Sequence, residues 1–138
     1  MEQESKNFSA RPPIHYYGDI VRKLFLAAGV LMLVSLAFFA SLISVPLSVS
    51  VVAIILVASL SGLESPNHKW VVIFNTLASA IGCGFFQYTA VNYYMTSTTA
   101  MDIDWAFFVA NEVLSIIFFV ALYYSSKTVR AWKQIQTK

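Results

Sequence analysis

The stretch LFLAAGVLMLVSLAFFASLISVPLSVSVVAIILVASLSGL, residues 24–63, runs for 40 positions without a charged side chain. A bilayer's hydrocarbon core is roughly 30 Å thick and needs about 20 apolar helical residues to cross it. The run is therefore long enough for two crossings. Its one interruption is Ser44-Val45-Pro46. Proline fixes φ and lacks an N–H, so it suits the first turn of a new helix and not a helix interior. The stretch predicts two apolar helices folded back on each other in a tight hairpin.

The same pattern recurs downstream. Residues 70–101 carry no charge, and they predict a third helix to about Met95, followed by the polar loop TSTTAMDID and a fourth helix beginning near Trp105. The run of 22 residues from 105 to 126 has Glu112 as its only charge. The fold class that follows is all-α: an integral membrane four-helix bundle of two antiparallel hairpins, with spans at about 20–44, 46–63, 66–95 and 104–126. Residues 1–19 form an N-terminal tail, 20–126 the transmembrane domain, and 127–138 a basic C-terminal tail. Composition agrees, with 58% hydrophobic and 12% charged residues against about a quarter charged in soluble domains. The uniform apolarity excludes barrel strands, which alternate every second residue.

Charge orients the helices. Lys6, Arg11, Arg22 and Lys23 precede the first span, Lys69 lies between the second and third, and Lys127, Arg130, Lys133 and Lys138 follow the fourth. All nine basic residues thus fall on one side, and the longer opposite loop holds Asp102 and Asp104. The positive-inside rule then places both termini in the cytoplasm. The net charge of +2 is a membrane-surface signature that favours anionic lipid headgroups at the cytoplasmic face, not nucleic acid. Tyr16, Tyr17, Trp70, Trp105 and Trp132 stand at span ends, where amphipathic rings anchor at headgroup depth. Asp19 is placed to cap the first span. The tail SSKTVRAWKQIQTK continues as an amphipathic helix with Val129, Trp132 and Ile135 on one stripe.

Several chemistries are unsupported. Cys83 is the single cysteine, so no intrachain disulfide or cysteine-based metal site is expected. It reads as a small packing residue. His15 and His68 lack clustered partners, and no nucleophile and base stand together. The sequence implies no enzyme, no cofactor and no metal. With no Arg-rich transit peptide, a plasma membrane is expected, specifically a bacterial inner membrane.

Glu112 is the residue that needs explaining. A charged side chain at the centre of a span costs on the order of 2.5–3.5 kcal/mol, and protonating an ordinary glutamate at pH 7 costs roughly 3.7 kcal/mol. The two states of an unpartnered carboxyl are therefore nearly equal in cost. In the antiparallel hairpin of spans three and four, Gln87 matches Glu112 in depth and Tyr88 matches Asn111. Helical spacing puts Asn111, Glu112 and Ser115 on one face about 100° wide. On span three, Asn75, Ser79, Gly82, Cys83 and Gln87 share a small, polar arc, opposite Ile73, Leu77, Ile81, Phe85 and Tyr88. Such an arc lets a neighbouring helix approach closely. Ala37, Ala40, Ser41 and Ser44 make a comparable small stripe on span one.

The structural role open to Glu112 is a hydrogen bond from Gln87 that sets the register between spans. Cross-helix bonds in membranes average about 0.6 kcal/mol, less than the carboxyl costs, and a neutral amide would serve as well. The arithmetic points to a proton- or cation-linked site formed by Glu112, Gln87, Asn111, Ser115 and Tyr88. The outline, four short helices with one membrane glutamate, is similar to that of small multidrug-resistance transporters. Their key glutamate lies in the first span, and here that span has no acid, so the likeness ends at the outline. Four spans leave little room for an internal path, so a homo-oligomer is expected. The alternative is a non-catalytic assembly subunit of a larger membrane complex, with Glu112 paired to a partner's Lys or Arg.

Overall fold

The computed structural model describes residues 17–63, 69–97 and 103–136, excepting the side chains of Lys69 and of 132–136. The described residues form four α-helices: α1 (Gly18–Phe39), α2 (Leu47–Gly62), α3 (Lys69–Thr96) and α4 (Trp105–Gln136). Three of them contain segments long and apolar enough to cross a membrane: Gly18–Phe39, Trp70–Thr96 and Trp105–Ala131.

The centre of the molecule is α4, which packs against α1 on one side and α3 on the other, while α2 packs on α1. Phe118 ties α4 to both neighbours. Its ring stacks on Phe86 of α3 at 5.6 Å and meets Phe25 of α1 edge-on at 5.9 Å. Gly82 of α3 makes room for it, since a Cβ there would stand 2.8 Å from the Phe118 ring. Near one end of the helices Phe107 repeats the arrangement, with Phe39 at 5.6 Å and Tyr93 at 4.9 Å. At the other end Tyr17 lies 5.4 Å from Tyr124, with Lys127 Nζ 4.7 Å above the Tyr17 ring. The ordering of these pairs makes α4 antiparallel to both α1 and α3. By contrast α2 and α3 scarcely touch, so the bundle is open along that edge.

Three expectations are corrected. First, α1 stops at Phe39, five residues short of 44, and residues 40–45 form the turn. Its last turn tightens, as Leu42 N–H donates to Phe39 O at 2.9 Å, and Val45, ahead of proline, is steered out of the helical region. Ala40, Ser41 and Ser44 therefore belong to the turn, and Ala37 is exposed. The close packing instead uses Ala28 and Gly29, with Val57 Cγ1 of α2 4.0 Å from where a Gly29 Cβ would stand.

Second, α2 has 16 residues, about 24 Å at 1.5 Å per residue, short of a roughly 30 Å core. It is a short apolar helix, and Pro46 caps it from outside instead of occupying its first turn. Third, α1 begins after Tyr17 with no side-chain cap hydrogen bond. Asp19 lies in the first turn, where its charge complements the helix dipole. The helix expected to continue into the tail does so: α4 runs unbroken past 126 to Gln136, so span and tail are one helix. Tyr16, His15, His68 and Asp102 lie outside the described residues, as do the rest of residues 1–16 and the side chains of Trp132 and Ile135.

Candidate functional site

The polar arc of α3 is where its spacing places it. Asn75 and Ser79 are buried, Gly82 and Cys83 half-buried, and Ile73, Leu77, Ile81, Phe85 and Tyr88 exposed. Ser79 Oγ donates to the Asn75 carbonyl at 2.7 Å, a bond to the preceding turn that satisfies a buried hydroxyl at little cost.

The arc meets α4 in a short chain of hydrogen bonds. Gln87 Nε2 donates to Glu112 Oε1 at 3.1 Å, and Ser115 Oγ donates to Gln87 Oε1 at 3.0 Å. The Ser115 hydroxyl also lies 3.4 Å from the Cys83 carbonyl and 3.8 Å from Cys83 Sγ. With the Ser115 proton on Gln87, the thiol is left to donate weakly to Ser115. The sequence Cys83, Ser115, Gln87, Glu112 therefore polarises in one direction, toward the carboxyl. Gln87 brings both a donor and an acceptor. A charged Glu112 accepts from its N–H, and a neutral one can donate to its carbonyl after an amide flip. The pair keeps a hydrogen bond in either protonation state.

Two expected members are elsewhere. Asn111 is only 6% exposed and turns its amide inward, donating to the Phe107 carbonyl at 2.8 Å. It satisfies its own helix and does not reach Glu112. Tyr88 is 69% exposed, on the face of α3 away from α4's contact. The reason is angular: interior-facing Phe107, Leu114 and Phe118 set the direction α4 turns to its neighbours, and Glu112 lies well over 100° from it. Glu112 shares its stripe with Trp105, Val109, Ile116 and Phe119, all exposed. So the 100° face divides, with Asn111 and Ser115 inside and Glu112 on the outward flank.

Trp70 and Trp105 are exposed at the first turns of α3 and α4. Tyr17 is half-buried against Tyr124 and Lys127, a packing contact the anchor expectation did not include. The sequence reading missed Asp104. Its Oδ1 accepts from the N–H groups of Ala106 at 3.0 Å and Phe107 at 3.2 Å, and its own N–H donates to Tyr93 Oη at 3.0 Å. An aspartate immediately before an apolar helical run is an N-cap signal, and this one was available. Buried Ser125 and Thr128 were also unforeseen. Among the described residues no three His, Cys, Asp or Glu side chains converge to hold a metal ion. No family model, curated protein or solved structure matches the chain.

Proposed function

We propose that this chain is an integral membrane protein that works as an oligomer, with Glu112 as its proton- or cation-linked transport group. The observation that carries the proposal is the Gln87–Glu112 pair on the outward side of the α3–α4 hairpin. A carboxyl two turns into α4 and set among exposed apolar side chains is expensive in hydrocarbon, and one hydrogen bond of about 0.6 kcal/mol does not offset it. Gln87 can pair with the carboxyl as donor or as acceptor, as a proton- or cation-linked group requires. Gln87 orients the carboxyl, and Ser115 orients Gln87.

In this proposal both termini are cytoplasmic and the membrane is a plasma membrane, with a bacterial inner membrane as the specific setting. The support is the nine basic residues, which all fall on one side when each of the four helices crosses the bilayer, three of them being long and apolar enough to do so unaided. A cysteine introduced at Thr98 should react with an impermeant maleimide from outside, and one at Lys138 only after permeabilisation. The direct test is flux: in vesicles, an imposed pH or cation gradient drives movement through wild type and not through Glu112→Gln. Equal fluxes would remove Glu112 from transport.

A second proposal, the assembly subunit, is favoured by a different detail. Glu112 Oε2 has no hydrogen bond among the described residues, leaving one carboxyl oxygen for a partner's Lys or Arg. Stoichiometric co-purification of another membrane protein, lost in Glu112→Gln, would select this proposal over transport.

A further inference from the structure

The surface around the Gln87–Glu112 pair has a second feature. On α3, Ala80, Gly84, Gln87 and Val91 are all exposed and recur at i, i+4, i+7 and i+11, a stripe about 60° wide. Nothing lies within 4 Å of where a Gly84 Cβ would stand. The small residues therefore form an open notch directly beside a polar pair of which Gln87 is exposed and Glu112 half-buried. Small-x-x-x-small spacing lets two helices approach backbone to backbone in a membrane. Within this chain that capacity is unused here, because the contact with α4 is made through Gly82, Cys83 and Phe86 instead.

Resting on the membrane-embedded oligomer above, we propose that this face binds a second copy of the chain in an isologous contact about a twofold axis along the membrane normal. The occupant is chosen by depth and by hydrogen-bond complementarity. Whatever covers Gln87 and Glu112 must itself be polar at the same depth. A second copy inserted in the same direction satisfies this by symmetry, because its own pair lies at the identical level. Gln87 Nε2 has two hydrogens and spends one on Glu112 Oε1. The other is available to a carboxyl across the axis, and Glu112 Oε2 is available to receive its counterpart. The two notches let the helices close to the distance this exchange needs.

Site-directed crosslinking in vesicles of phosphatidylethanolamine and phosphatidylglycerol tests the surface, in a Cys83→Ala background. Oxidation should give disulfide-linked dimer for most of the protein with Gly84→Cys or Val91→Cys, and for less than a tenth of it with Phe38→Cys or Leu56→Cys. Gly84→Leu should weaken dimerisation at least tenfold by single-molecule photobleaching, with helicity and monomer melting unchanged, since the monomer has open space there. Preferential crosslinking through Phe38 or Leu56, no preference among the four sites, an undisturbed Gly84→Leu dimer, or a different protein captured at Gly84→Cys in native membranes would each overturn the proposal. The outcomes separate from the transport proposal. Flux that depends on Glu112 without crosslinking at 84 removes the surface alone, and crosslinking at 84 with flux indifferent to Glu112→Gln removes the transport role alone.

Discussion

Glu112 and Gln87 share one hydrogen bond but differ in what their loss leaves behind. Replacing the carboxyl by an amide preserves a donor and an acceptor opposite Gln87, so Glu112→Gln should melt at or above the wild-type temperature in detergent. Gln87→Leu removes the partner of both Glu112 and Ser115 and should cost about 0.6–2 kcal/mol in the same measurement. A stable Glu112→Gln that has lost flux would mean the carboxyl is kept at the expense of stability. Asp104→Ala should cost about 1 kcal/mol through the lost N-cap, seen as a lower melting temperature with flux intact. The Gln87–Glu112 contact was legible in sequence because antiparallel helices match residues by depth, whatever their rotation. The inward turn of Asn111 was not. Rotation about α4 is set by where Phe107, Leu114 and Phe118 pack, and polarity alone does not rank Asn111 against Glu112 for the outward position.

At the scale of the helix, two glycines two residues apart should behave oppositely. Gly82 faces the Phe118 ring, which is held by Phe86 and Phe25 and has nowhere to retreat. Gly82→Ala should therefore destabilise by about 1–3 kcal/mol, the usual cost of overpacking. Gly84 faces open space, so Gly84→Ala should be neutral or gain up to about 1 kcal/mol of helix propensity. Paired melts of the two variants check both. Helix existence could be read from the charge-free runs, each long enough to hold an apolar helix. Helix ends could be read only where a residue enforces them. Pro46 marks the start of α2, but nothing between Phe39 and Ser44 announces the end of α1. That end depends on the room the hairpin needs to reverse and on Phe39 meeting Phe107.

Across the whole molecule α4 is the element on which α1 and α3 depend, and Phe118 is the side chain that joins them. Phe118→Ala should cost about 3–5 kcal/mol, the range for emptying a large aromatic from a packed site, and should loosen both α1 and α3 in hydrogen exchange. Hydrophobicity has no direction along the sequence, so this ordering of partners could not be read before the packing was known.

The short helix α2 has a consequence for the bilayer itself. Its buried residues are Val57, Leu60 and Ser61, all toward one end, while Leu47, Val49, Val52, Ile55 and Leu56 are exposed. Gly29 and Val57 fix its height against α1. In the membrane setting proposed above, a helix of about 24 Å so fixed cannot lengthen, so the lipid beside it would have to shorten, whereas α3 and α4 would ask for a thicker annulus on the opposite flank. In that setting the protein would have a thin side and a thick side, and hydrophobic mismatch should concentrate at the outer turns of α2. Lipids with longer acyl chains should speed amide exchange at residues 49–52 before any other helical segment responds.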